Sequence, residues 1–162
     1  MVVKHRPQAK FLVVGEDKES KGFLLKKLME KACRLGLDQQ VIFTGWRDDI
    51  PYMLSAIDIF VQNPTYPEGL GISTLEAMAS GKPTVVTNMG GLSDTTINEV
   101  TGLIVPPSDA KMLSDAIIRL LDDRNLASQM GKRARLRAEE KFDIEKIAKR
   151  MEQVFLQLLA NG

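Results

Sequence analysis

The chain alternates short, uninterrupted apolar runs with stretches of helical period, and this alternation leaves few architectures open to it. The runs are FLVV (11–14), VIF (41–43), DIFVQ (58–62), PTVVT (83–87) and GLIV (102–105). Each has the length of a strand and favours Val, Ile and Phe. None shows the regular in–out alternation of a sheet with one wet face, so the pattern suits strands covered on both faces in a parallel sheet. Between the first two runs, residues 20–36 repeat Phe23, Leu24, Leu28, Ala32 and Leu35 at helical spacing, with Gly36 in the C-cap role. Shorter helices are predicted over 48–56 and 72–80, and one or two helical turns around 92–98. A βαβα order of this kind predicts an α/β fold with a doubly wound, Rossmann-like parallel sheet.

Past Pro106 and Pro107 the strands stop. Helices are predicted over 109–122, with Met112, Leu113, Ala116, Ile117, Leu120 and Leu121 in one stripe, over 124–140, and over 143–160. The 162 residues therefore read as one domain, 1–162, with a strand and helix core at 11–107 and a helical tail at 108–160. A chain of this size buries enough surface to fold without a disulfide or a metal. Its 44% hydrophobic and 27% charged residues exclude a disordered chain. The formal charge of +1 excludes a strongly basic nucleic-acid surface. Residues 131–150 hold eight Lys or Arg against four Asp or Glu, an excess that usually means a solvated helix face. Cys33, the one cysteine, fits a reducing cytoplasm. The absence of a long apolar run leaves at most a peripheral place at the inner membrane surface. With a single His5 and Cys33 and no Asp-x-Asp pair, no metal cofactor is expected.

The stretch that carries chemistry is 63–91, NPTYPEGLGISTLEAMASGKPTVVTNMGG. A Pro- and Gly-rich loop follows the strand 58–62 and runs straight into helix 72–80, at the strand end where open α/β sheets bind ligands. The first turn of that helix offers free backbone N–H groups and a positive dipole end, with Gly71 admitting close approach, which suits a phosphate or diphosphate. On a helical wheel that takes Ile72, Leu75 and Ala79 as the buried side, Glu76 falls at the edge of the apolar arc. A carboxylate there is paired, for instance with Lys82, solvated by a cleft, or bound to something. Glu68 stands at the mouth of the same loop. Two acids flanking an anion site repel the anion unless they address hydroxyl groups, and a nucleotide sugar has hydroxyls at both of its ends.

PEGLGISTLEAMASGKPTVVT resembles the signature of group 1, family-4-type retaining glycosyltransferases, which carry two glutamates separated by seven residues and then a Gly-x-Pro-Val-Val strand. FLVVG (11–15), VIFTGW (41–46), AIDIFVQNPT (56–65), Gly90 and Gly91, TGLIVPP (101–107) and the tail KFDIEKIAKRM follow in the family's order. The resemblance implies the C-terminal, nucleotide-sugar-binding half of a GT-B enzyme, transferring a hexose with retention to an unknown acceptor. It implies that Glu76 accepts from the ribose hydroxyls and that Glu68 meets the donor sugar as the catalytic acidic residue. The amides of Gly71, Ile72 and Ser73 then hold the diphosphate, with the Thr74 hydroxyl as an addition, and Gly69 and Leu70 complete the donor loop. Gly45, Trp46 and Arg47 stand where such enzymes hold the base. Trp46 either stacks on it or is a partly buried loop aromatic.

Ser93 and Asp94 replace the family's usual Pro-Glu. Only Met1 to Lys10 precede the first strand, so the acceptor-binding half, and the Arg and Lys that meet the leaving diphosphate, are expected from elsewhere or from a partner chain. Strands 11–14 and 58–62 are then expected to pair directly, making one five-stranded sheet. The long apolar face of helix 143–160 is expected to self-associate or to fold back onto 109–122 and 124–140. A non-catalytic nucleotide-sugar-binding subunit on the same fold is the alternative function. A nicotinamide-binding module fits worse, because Gly15 and Gly22 are too far apart for a dinucleotide loop.

Overall fold

A computed structural model describes residues 1–18 and 20–160. The chain forms two compact units, Met1–Ile50 and Pro51–Gly162. The first contains α1 (Val2–His5), β1 (Phe11–Val14), α2 (Phe23–Arg34) and β2 (Val41–Gly45). Helix α3 (Ile50–Ala56) begins at the boundary. The second continues with β3 (Phe60–Gln62), α4 (Ile72–Ala79), β4 (Thr84–Thr87), α5 (Leu92–Thr95) and β5 (Gly102–Val105). Helices α6 (Ala110–Asp122), α7 (Arg124–Lys141) and α8 (Ile144–Ala160) complete it.

All five predicted strands form and all their pairings are parallel, so the α/β class follows from the periodicity as expected. The single five-stranded sheet does not form. Strand β1 pairs with β2 alone, while β3, β4 and β5 make a separate three-stranded sheet in that order. Each of β1 and β3 thus carries a ladder on one edge only. Among the described residues no strand joins the two, since residues 2–5 ahead of β1 are helical.

In the first unit β2 runs two residues past the predicted end, and the register slips between Val13 and Val14 so that Val14 faces Gly45. Gly45 takes a left-handed φ of 69° to close this bulge. Helix α2 starts at Phe23 rather than 20 because Asp17 and Gly22 set its entry. The Asp17 carboxylate accepts from the Ser20 hydroxyl and from the N–H groups of Leu24 at 2.8 Å and Leu25 at 3.2 Å. These donors, the Ser20 hydroxyl first, hold its pKa below the ordinary aspartate value. At the other end Gly36 is left-handed, and the bonds from Gly36 to Cys33 and from Leu37 to Ala32 close the helix as predicted.

The second unit is organised around β4, every residue of which is buried. Its neighbours match it in register, Phe60 with Thr84 on one side and Thr84 with Gly102 on the other. Threonine does much of the packing. Thr74, Thr84, Thr95, Thr96 and Thr101 are all buried, and their hydroxyls are satisfied locally, Thr84 with Thr96 at 3.1 Å and Thr95 on the Leu92 carbonyl at 2.9 Å. Helix α5 stops at Thr95, short of the predicted 98, because Thr96 is extended and Glu99 turns the chain at a φ of 62°. Helix α7 packs on α4 through Met78, Ala134 and Ala138. Gly131 lies so close to the Gly81 carbonyl that a Cβ there would collide with it. Helix α8 has no buried residue. It touches α7, one of the two helices expected to receive it, and Ile144, Phe155, Leu158 and Leu159 stay exposed.

Candidate functional site

The loop between β3 and α4 is fixed at three places. At its start the Thr87 hydroxyl, on β4, donates to the Pro64 carbonyl at 3.1 Å. In its middle the Gly91 N–H donates to the Glu68 carbonyl at 3.0 Å. The glycine pair makes this approach possible, since a Cβ on Gly90 would strike the Glu68 backbone and one on Gly91 the carbonyl of Gly69. At its end Gly71 turns into the helix with a left-handed φ of 70°, packed against Leu92. The Thr74 hydroxyl, fully buried, donates to the Gln62 side chain at 2.5 Å. Thr74 therefore joins the supports of the loop, its hydroxyl already spent on β3.

The N-terminus of α4 has no side-chain cap. The N–H groups of Thr74 and Leu75 donate to the Gly71 carbonyl, and among the described residues nothing accepts from those of Ile72 and Ser73. Two exposed donors at a positive dipole end are the elements of an anion site. Glu68 is half-buried and Gly69 and Leu70 are exposed beside it. Glu76 is exposed one turn into the helix. Neither carboxylate has an ion-pair or hydrogen-bond partner among the described residues, and the alternative of a Glu76–Lys82 pair is not realised, because Lys82 donates to the Ser55 carbonyl at 3.1 Å.

The wheel over α4 is corrected in one respect. The buried side is Thr74, Ala77 and Met78, while Ile72 is 71% exposed. Glu76 shares the open side with Ile72 and Ala79, because the helix buries Thr74, Ala77 and Met78 against α7 and the sheet. The carboxylate is thus unpaired at no desolvation cost.

Gly45, Trp46 and Arg47 lie in the first unit, at the carboxyl end of β2. Trp46 is 68% exposed, and the Lys18 ammonium sits over its ring, 4.9 Å from the centroid. The partly buried alternative for this side chain is therefore excluded. Arg47 is engaged in a two-pronged contact with Asp49, at 2.7 and 2.5 Å, which raises its pKa further.

Sequence reasoning missed Gln62, Thr87 and the structural work of Gly90 and Gly91. The pair of adjacent glycines after a buried strand was the one available signal. It missed, too, how α5 is held: the Arg137 guanidinium on α7 donates to the carbonyls of Thr95 at 2.8 Å and Asp94 at 2.6 Å. Ser93 and Asp94 are themselves exposed. Among the described residues no group of three or more His, Cys, Asp or Glu could hold a metal, and no helix is long and apolar enough to cross a membrane.

Comparison with known proteins gives a consistent picture. The family model for glycosyl transferases group 1 matches residues 1–137. The chain is 35% identical over 135 residues to the lipopolysaccharide core biosynthesis mannosyltransferase LpsB of Rhizobium meliloti (strain 1021), covering 82% of this chain and 38% of that protein. It is 30% identical over 156 residues to an Escherichia coli UDP-Gal:alpha-D-GlcNAc-diphosphoundecaprenol alpha-1,3-galactosyltransferase, covering 96% of this chain and again 38% of the relative. Among solved structures it is similar to Anabaena Alr3699/HepE in complex with UDP, with a TM-score of 0.90 and 28% identity over 93% of this chain and 42% of the other. The same Anabaena protein in complex with UDP-glucose gives a TM-score of 0.88. The chain thus spans about two-fifths of the length of the relatives it matches.

Proposed function

This chain belongs to the group 1 glycosyl transferases and has the α/β fold of one domain of its GT-B structural neighbours, and from that premise we propose that it is the donor-binding half of a retaining hexosyltransferase using a nucleotide-diphospho-sugar. The observation that carries the reading is the uncapped N-terminus of α4, held in place by Gly71, Gly90 and Gly91, with two unpaired carboxylates beside it.

In this reading the N–H groups of Ile72 and Ser73 receive the diphosphate, and Glu76, one turn on, accepts from the ribose diol through charge-assisted hydrogen bonds. Glu68 meets the hydroxyls of the donor sugar. As the bond from the anomeric carbon to the diphosphate breaks, negative charge grows on the departing oxygen, and prepositioned amides stabilise it without reorganising. The new bond to the acceptor oxygen forms on the same face, and the acceptor hydroxyl's proton passes to the departing diphosphate oxygen. The base is assigned to Gly45, Trp46 and Arg47 through the family resemblance. Support for the donor class comes from the UDP and UDP-glucose complexes of the Anabaena protein. Acceptor binding and the cations facing the leaving group are assigned outside these 162 residues, so the chain by itself binds donor and does not transfer sugar.

Calorimetry with UDP-glucose, GDP-mannose and ADP-glucose tests this. One of the three should bind, and Glu76→Ala should weaken it by about 1.5–3 kcal/mol, the range for hydrogen bonds to charged groups. Glu68→Gln should reduce the preference for the sugar nucleotide over the plain diphosphate. No binding by any donor at millimolar concentration, or an unchanged affinity in Glu76→Ala, would overturn the assignment.

A further inference from the structure

A pocket of about 390 Å³ opens at the amino ends of β3 and β4, the opposite end of the same sheet from the loop that leads into α4. Three cations line it: Lys82 just before β4, and Arg124 and Lys132 on α7. Asp58 is the one carboxylate in the lining, so two positive charges are in excess. None of the three cations has an ion-pair partner among the described residues. Lys82 spends one of its three donors on the Ser55 carbonyl and has two left.

The placement of these charges runs against the usual economy of helices. Arg124 is the first residue of α7, where the dipole disfavours a cation, and the Asp123 carboxylate just before it is taken up as the N-cap, accepting from the Leu126 N–H at 2.8 Å. Ser128 and Lys132 follow at intervals of four, which puts all three on one helical face, and that face lines the pocket together with Lys82. Like charges gathered around a cavity repel one another in the absence of an anion. Leu120 provides part of an apolar floor beneath them.

We propose that this pocket binds a phosphate group, gripped by Lys82, Arg124 and Lys132 with the Ser128 hydroxyl as a further donor. Arginine and lysine around a hydroxyl make up a common phosphate-binding set. The site is separate from the donor site and its occupancy does not depend on the reading given to Glu68 and Glu76. The phosphate comes either from a free phosphorylated metabolite or from an anionic lipid headgroup, which present the same chemistry to the pocket.

Amide spectra of the 15N-labelled chain titrated with inorganic pyrophosphate locate the binding. Shifts at Lys82, Arg124, Ser128 and Lys132 are expected, and they should persist in Glu76→Ala. In an Arg124→Gln, Lys132→Gln double variant the affinity read from those shifts should fall at least tenfold while the remaining spectrum stays dispersed. Shifts confined to residues 71–74, or an unchanged affinity in the double variant, would overturn the proposal. Co-sedimentation with phosphatidylglycerol vesicles and not with phosphatidylcholine, lost in the double variant, assigns the phosphate to lipid. Pyrophosphate binding without sedimentation assigns it to a soluble ligand.

Discussion

The residues that decide the shape of the loop before α4 have no chemistry of their own. Gly90 at a φ of 58° and Gly91 leave room for the backbone of Glu68 and Gly69, and a methyl group at either would occupy that room. Gly90→Ala should therefore lower stability by about 1–3 kcal/mol, the usual cost of a strained backbone position, and should also weaken nucleotide binding in calorimetry. A substitution that lowered the melting temperature with affinity intact would separate the turn from the site. That Glu76 stands open on α4 and that Gly71 turns the chain into the helix were legible in the sequence, from the wheel and from the glycine at the helix start. The role of Thr74 was not, since a hydroxyl in the first turn of a helix fits a ligand and a neighbouring strand equally well. Nor was the buried side of α4, because the wheel equates apolar with buried, and here threonine and alanine are inside while Ile72 is out.

Among elements, the strands were read almost to the residue, because an uninterrupted run of β-branched residues has few other uses. Helix ends depended on capping side chains and left-handed residues that periodicity does not register. Glu99 is one such residue. Its carboxylate, in the turn before β5, takes both prongs of Arg119 on α6 at 2.6 and 2.8 Å. The Arg119 hydrogen bonds hold the Glu99 pKa below the ordinary glutamate value. A depressed folded-state pKa stabilises the fold above the ordinary value and ceases to do so as pH falls through the depressed one. The stability gap between the wild type and Arg119→Met should accordingly be constant near neutrality and close on acidification. Both side chains are about half exposed, so the gap should be at most about 1 kcal/mol. Chemical denaturation at a series of pH values measures it.

At the scale of the molecule, burial is uneven. Strand β4 is wholly inside, whereas α8 buries nothing and α2 leaves Phe23, Leu24 and Met29 open. Hydrogen exchange should follow this order, slowest in β4 and fastest in α8, because opening free energy tracks local burial. Exposed apolar faces of this extent mark interfaces. Light scattering should show association rising with concentration, reduced by Met151→Glu with Phe155→Glu. A wild type that is monomeric throughout would remove α8 as the contact. The sequence indicated that this face lacked a partner but not that the sheet would split, because strand pairing depends on which edges find neighbours and no residue spells that out. The Arg137 clasp on α5 extends the reach of the donor loop in the same non-local way. Gly90 and Gly91 lie between that loop and α5, and Arg137 ties α5 to α7, so a chain of hydrogen bonds links the loop to the long helix. A long helix thereby acts as the ballast of the loop before α4, and if that loop holds the donor as proposed, Arg137→Ala should blunt nucleotide affinity in calorimetry.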